Sequence, residues 1–227
     1  MIQRIPVVLS ALPRYAGAKG FQQRRLVSFF ARLRQEHEQR QRESLLRSRI
    51  QNNPGLDVLI YPHPQLRAHN AEVTSFSDEL REKAEQLLIT MYAQDGIGLA
   101  APQVGMNERI MVFNETGEPE DIDTEMVLCN PHVVSQSKET LIEEESCLSF
   151  PRIHGKVERA HSIVVEYQNL HGERLEAHLE GLPARIFLHE YDHLDGKLFI
   201  DHFDEKDKAK NKKRIQRYIT NCKDAAP

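Results

Sequence analysis

The stretch His189-Glu190-Tyr191-Asp192-His193-Leu194-Asp195-Gly196 constrains the fold more than any other part of the chain. Two histidines four residues apart lie on one face of a helix, about one turn apart, with a glutamate beside the first, and that spacing suits a transition metal. Independent signals make the segment helical: Pro183 suits a first turn, residues 184–194 hold no breaker, and Gly196 can supply a left-handed cap. Helical spacing puts Ile186, His189, Glu190 and His193 on the inward stripe, where leucine or valine is usual. A buried carboxylate and two imidazoles need partners. The plainer alternative, a chance HExxH on a solvated helix, is disfavoured because the motif interrupts an otherwise apolar stripe.

The chain around this helix has 227 residues, 40% hydrophobic and 28% charged, which is globular and long enough for one domain with a substantial core. Its net charge of −4 is unevenly spread: residues 1–50 hold eleven Lys and Arg against three Glu, a local +8, which leaves −12 for residues 51–227. The first 35 residues lack Asp and Glu but carry Arg4, Arg14, Lys19, Arg24, Arg25, Arg32 and Arg34. With their serines and short apolar clusters they read as an organellar transit peptide, mitochondrial first and plastid second. A basic arm touching nucleic acid is the alternative. No apolar run approaches the roughly eighteen residues of a membrane span, and three cysteines without a secretory signal imply a reducing compartment.

Asn52-Asn53-Pro54-Gly55 marks the break at which the folded domain is expected to begin, giving a leader and linker at 1–50, a catalytic domain at 51–203 and a basic helix or tail at 204–227. Residues 56–60 read as a short strand, and Ser77 can cap a helix through Leu80, Ala84, Leu87, Leu88 and Met91. Gly96-Ile97-Gly98-Leu99-Ala100-Ala101-Pro102-Gln103-Val104-Gly105 brings small residues to either side of one glutamine. It allows close backbone approach but matches neither a dinucleotide loop nor a P-loop. Residues 109–113 and 125–129 read as strands, the second stopped by Asn130-Pro131, with an acidic loop at 115–123 between them and Cys129 as a core thiol. Glu143-Glu144-Glu145 reads as a solvated edge after which Cys147 can face inward. Alternation over 162–167, a turn at Asn169-Leu170-His171-Gly172 and a returning strand at 174–179 predict a hairpin. Cys222 is a tail thiol with no partner in view.

The metal reading needs a third ligand. A metzincin would place histidine at Phe199, and a thermolysin-type glutamate would fall near Asn211-Lys212-Lys213-Arg214, so neither pattern is completed. The search turns upstream, where Cys147 is the best candidate. A Cys-His-His set with one open position is catalytic in type, because structural zinc sites fill all four places.

Taken in order, Gly96–Gln103, then Glu145-Ser146-Cys147-Leu148-Ser149, then His189-Glu190-Tyr191-Asp192-His193 resemble the three motifs of peptide deformylases. The likeness extends from Tyr61-Pro62-His63-Pro64 through Gly155, Val157 and Arg159 to Gly196-Lys197-Leu198-Phe199, about residues 55–203. The resemblance implies an α+β fold in which β-sheets surround a central metal-bearing helix. It implies Cys147, His189 and His193 as ligands of Fe²⁺, with Zn²⁺ a common replacement, and Glu190 as general acid and base. Gln103 and the Leu148 N–H would stabilise the oxyanion formed when water attacks the formyl carbon of N-formylmethionyl nascent chains. The substrate would add as a strand beside Ile97 and Gly98, its methionine held by Ile97, Leu182 and Ile186.

An organellar deformylase fits the expected leader; the resemblance implies that the basic tail can touch an organellar ribosome, with a solvated helix the plainer reading, and a DNA partner is not expected. Two alternatives stay open: another HExxH hydrolase such as a peptidase, and a catalytically weak relative that binds formylated chains or the ribosome. Three positions depart from the family pattern. Ser146 replaces a glycine, which implies backbone strain if φ is positive, or else a narrower cleft. Leu188 stands where glutamine is usual, and Glu143 falls near a site that is often apolar.

Overall fold

In the run Ile110-Met111-Val112-Phe113-Asn114 every residue is buried, so this strand must be covered on both faces. The computed structural model of the protein describes residues 55–119 and 121–224. The expected leader at 1–50 lies outside the described residues, as does the side chain of Cys222.

The elements run α1 (Asp78–Ala93), β1 (Gly98–Ala100), β2 (Ile110–Asn114), β3 (Glu125–Gln136), β4 (Thr140–Ser146), β5 (His154–Ala160), β6 (Ser162–Gln168), β7 (Arg174–Glu180), α2 (Leu182–Leu194) and α3 (Glu205–Asp224). Strands β1-β2-β3-β6-β7 form one antiparallel sheet in that order, and β4-β5 a separate pair. Alternation along β2 explains the double coverage. Ile110 and Val112 join Leu80, Leu87 and Met91 of α1, while Met111 and Phe113 join Ala184, Ile186, Phe187 and Leu188 of α2. The helix carrying HExxH is therefore central, and the expected α+β architecture holds. A third cluster, built on Phe150, Ile153, Val157, Phe199 and Phe203, seats β4-β5. Gly155 has no side chain because the Phe203 ring occupies that space.

Three local expectations need correction. Residues 56–60 form no strand: Leu59 N–H donates to Gln103 O (2.7 Å) and Tyr61 N–H to Ser149 O (3.0 Å), so the segment ties two distant turns without a ladder. Strand β3 does not stop at Asn130-Pro131 but passes through it to Gln136. The register shifts between Cys129 and His132, a bulge that accommodates a proline with no N–H to give. Asn130, at φ 50°, supplies substitute bonds from its side chain to Val73 N, Val73 O and Gln168 Oε1 (2.8–2.9 Å). Finally, the acidic run is not wholly a solvated edge. It belongs to β4, paired with β5, and although Glu143 and Glu144 are exposed, Glu145 is buried.

Candidate active site

Helix α2 is entered through Gly181 and Leu182-Pro183 and ends at Asp195, with Gly196 left-handed (φ 69°). A side chain at Gly196 would run into the Arg67 carbonyl at 2.7 Å, so glycine is required there on two counts. The helix buries Ile186, His189, Glu190 and His193, as its stripe predicts. Cys147 follows directly from β4 and reaches the same point. One donor atom each from Cys147, His189 and His193 lies within 4.8 Å of the others, and Cys147 Sγ is 3.3 Å from His193 Nε2.

These donors fit a single divalent cation. His189 Nδ1 is engaged by Glu145 Oε2 at 2.9 Å, which fixes the ring and leaves Nε2 for the metal. Burial works against charge on His189, but its hydrogen bonds to Cys147 and Glu145 and the charges of Cys147 and Glu190 prevail and push it up to about 10. The pocket therefore favours a positive charge at that point. Burial and the neighbouring His189 drive His193 well below its ordinary value, so its imidazole is neutral, the form that donates a lone pair. Thiolate plus imidazole suits a transition metal such as Fe²⁺ or Zn²⁺ better than Mg²⁺ or Ca²⁺.

Glu190 lies beside the donors with Oε2 buried and unpartnered among the described residues. Burial raises its carboxyl to about 7, against the opposing pull of His189 and Arg159. Gly98 makes room for it: a Cβ there would stand 2.6 Å from Glu190 Oε1 and 2.9 Å from Ile186 Cγ2. Gln103 is oriented by the Ala100 N–H, which donates to Oε1 at 2.8 Å, so that Nε2 faces Cys147 Sγ (3.5 Å) and Ser149 Oγ (3.4 Å). The Leu148 N–H has no acceptor among the described residues. Ile97, Gly98, Gln103, Cys147, Leu148, Leu182, Ile186, His189 and Glu190 all line one cleft of about 590 Å³, and His193 lies beneath it, 1% exposed.

Sequence reasoning missed the charge network behind this cleft. Glu145 accepts from Arg159 Nε and Nη2 (2.7 and 2.9 Å), Arg185 Nη1 (2.7 Å) and His189. Arg159 continues to Asp192 (2.8 Å), and Asp192 to His202 (2.9 Å). Burial alone would raise the Glu145 carboxyl, but His189 and Arg159 hold it well below the usual carboxylate range. The available signal was Arg185, one turn before His189 on the inward face, a charge that demands a buried acid. Of the three departures, Ser146 ends β4 in extended pairing with His154, so no strain arises, and its side chain borders the cleft. Leu188 packs into the core against the sheet, and Glu143 pairs with Arg185 Nε at 2.7 Å.

An α+β scaffold whose central helix presents two histidines and a carboxylate to an upstream thiol, under an open cleft, defines a three-donor site of the kind that leaves a metal one free position. The chain belongs to the polypeptide deformylase family, whose model matches residues 56–209. It is 48% identical over 146 residues to a chloroplastic peptide deformylase 1B of Solanum lycopersicum, 64% of this chain and 52% of that protein. It is 44% identical over 152 residues to the chloroplastic/mitochondrial peptide deformylase 1B of Arabidopsis thaliana, 67% of this chain and 55% of that protein. The chain thus spans about half the length of these plant relatives. A solved peptide deformylase from Plasmodium falciparum matches with a TM-score of 0.73 at 39% identity, covering 75% of this chain and 99% of that one.

Proposed function

We propose that the protein is a peptide deformylase, which hydrolyses the N-formyl group of formyl-methionyl nascent chains to leave formate and a free amino terminus. The observation that carries this reading is the meeting of Cys147, His189 and His193 within 4.8 Å, beside a buried carboxylate and at the foot of a cleft. Those three residues would hold Fe²⁺, with Zn²⁺ as a replacement. A divalent cation held there would supply Lewis acidity, lowering the pKa of water toward neutrality.

The protein's own groups supply the rest. Glu190, raised to about 7, takes the proton from the attacking water and returns it to the departing amine. The Gln103 amide and the Leu148 N–H donate to the oxygen that gains charge as the formyl carbon becomes tetrahedral, each worth roughly 3 kcal/mol of barrier. Strand β1 is an edge of the large sheet, and β4 pairs on one side only, so an extended peptide can lie between two free edges. Ile97, Leu182 and Ile186 would form the apolar wall for methionine.

Formylated initiators belong to bacteria and to organelles of bacterial descent, and the names of the plant relatives support an organelle as the compartment. The arginine-rich, acid-free residues 1–35 favour the mitochondrion over the plastid in this reading. The basic α3 is the surface proposed for an organellar ribosome.

The test is anaerobic purification, metal analysis and formate release from formyl-Met peptides beside Glu190→Ala. Fe²⁺-loaded protein should release formate while the variant, with its metal retained, should not. Equal activity in the two, or cleavage of internal bonds in unblocked peptides, would overturn the reading.

A further inference from the structure

Among the described residues, Asp95, Asn130 and Arg152 are the residues other than glycine with a left-handed backbone (φ 53°, 50° and 63°). Asp and Asn tolerate that region because their side chains are short and polar, and Asn130 is anchored there by side-chain bonds to Val73 and Gln168. Arginine has no such compensation. Arg152 is the third residue of a turn closed by Ile153 N–H donating to Phe150 O (3.1 Å), with Pro151 second. That is the type II arrangement, whose third position calls for glycine.

Helix α3 grips this turn from behind: Arg214 Nη1 and Tyr218 Oη donate to the carbonyls of Arg152 and Pro151 (2.9 and 2.5 Å), and Asn211 Nδ2 to that of His154 (2.9 Å). The backbone is held while the Arg152 side chain stands exposed at the cleft, among Ser146, Pro151 and His154. Two arginines line that cleft. Arg185 is committed to Glu143 and Glu145, whereas Arg152 has no ion-pair partner among the described residues. Two exposed acids, Asp95 and Glu144, line the same cleft, and Glu144 is partly offset by Lys210 at 3.9 Å.

We infer that Arg152 is a substrate-docking cation, taking a carboxylate that the formylated chain carries a few residues beyond its formyl-methionine. The planar guanidinium matches a carboxylate in two-point contact, and a strained turn at a cleft rim is where a side chain is held for binding. The inference rests on the deformylase reading. The carboxylate can come from an acidic side chain or from the end of a short peptide.

The experiment compares C-terminally amidated formyl-Met peptides bearing Glu or Gln at the third or fourth residue with Gln peptides left as free acids. It uses the full chain, its Arg152→Gln and Arg152→Gly variants, and the remote Lys206→Gln variant. Formate release and calorimetric binding are both followed. The parent and Lys206→Gln should favour Glu over Gln about threefold, through KM, with the preference fading in high salt. Both Arg152 variants should lose it, and Arg152→Gly should melt higher because the turn is relaxed. A preference for free acids alone assigns the contact to the peptide terminus. A Glu-to-Gln and acid-to-amide ratio unchanged by Arg152→Gln overturns the inference. Absent formate release alongside intact, Arg152-dependent binding overturns the deformylase reading instead.

Discussion

Glu145→Gln isolates the group on which the buried network converges. The carboxylate, 5% exposed, meets Arg159 at 2.7 and 2.9 Å, Arg185 at 2.7 Å and His189 at 2.9 Å. Glutamine keeps the shape and one acceptor but removes the charge and turns an N–H₂ group toward a donor. Removing one partner of a buried ion pair costs about 3–5 kcal/mol. Arg159 would keep Asp192, and Arg185 would keep the half-exposed Glu143, so the lower end, about 3 kcal/mol, is expected here. For a domain of this size that corresponds to a Tm lower by roughly 6–12 °C. His189 also loses the acceptor that fixes its ring, a kind of change that weakens metal binding by about 10–100-fold. Urea unfolding and chelator competition on metal-loaded protein measure both effects. An unchanged urea midpoint together with unchanged metal retention would refute the view that one carboxylate organises both the charges and the donor set.

Gly98→Ala should lower kcat by displacing Glu190, whose Oε1 would lie 2.6 Å from the new Cβ, and should cost about 1–3 kcal/mol of stability by overpacking; wild-type turnover in a stable variant would contradict this geometry. Burial, with Glu108 nearby, pushes the Cys129 thiol from 9.0 up to about 12. Above pH 9 the unfolded chain alone releases that proton, so the contribution present below pH 9 is lost as pH climbs toward 12. Relative to the parent, Cys129→Val should therefore gain about 1.4 kcal/mol per pH unit over that window; a pH-independent difference in urea midpoints would argue against it.

Helix α2 was legible because its signals are local: Pro183 at the start, Gly196 past the end and a stripe of fixed period between them. The β6-β7 hairpin was legible for the same reason, by alternation and the turn at 169–172. What failed to show depends on distant partners. Glu145 is buried because Arg159 and Arg185 arrive from β5 and α2 to neutralise it, and burial of a charge is a property of the set, not of a run of three acids. Pro131 obeys the rule that proline ends strands until the Asn130 side chain replaces the missing bonds. In the site, Cys147, His189 and His193 could be chosen from residue type and order. The orientation of Gln103 could not, since it is fixed by the main chain three residues earlier.

The tie formed by Leu59 and Tyr61 bears on the order in which the molecule can be assembled. Its two hydrogen bonds join the start of the domain to Gln103 and Ser149, contacts between segments far apart along the chain, and such closures come late because loop entropy must be overcome first. The two histidines come later still in synthesis, on α2. A chain still emerging from the ribosome, complete only through β7, would offer a metal nothing but Cys147 of the three donors. Metal capture should thus be among the last events of maturation, and an interrupted chain should be unable to keep its ion.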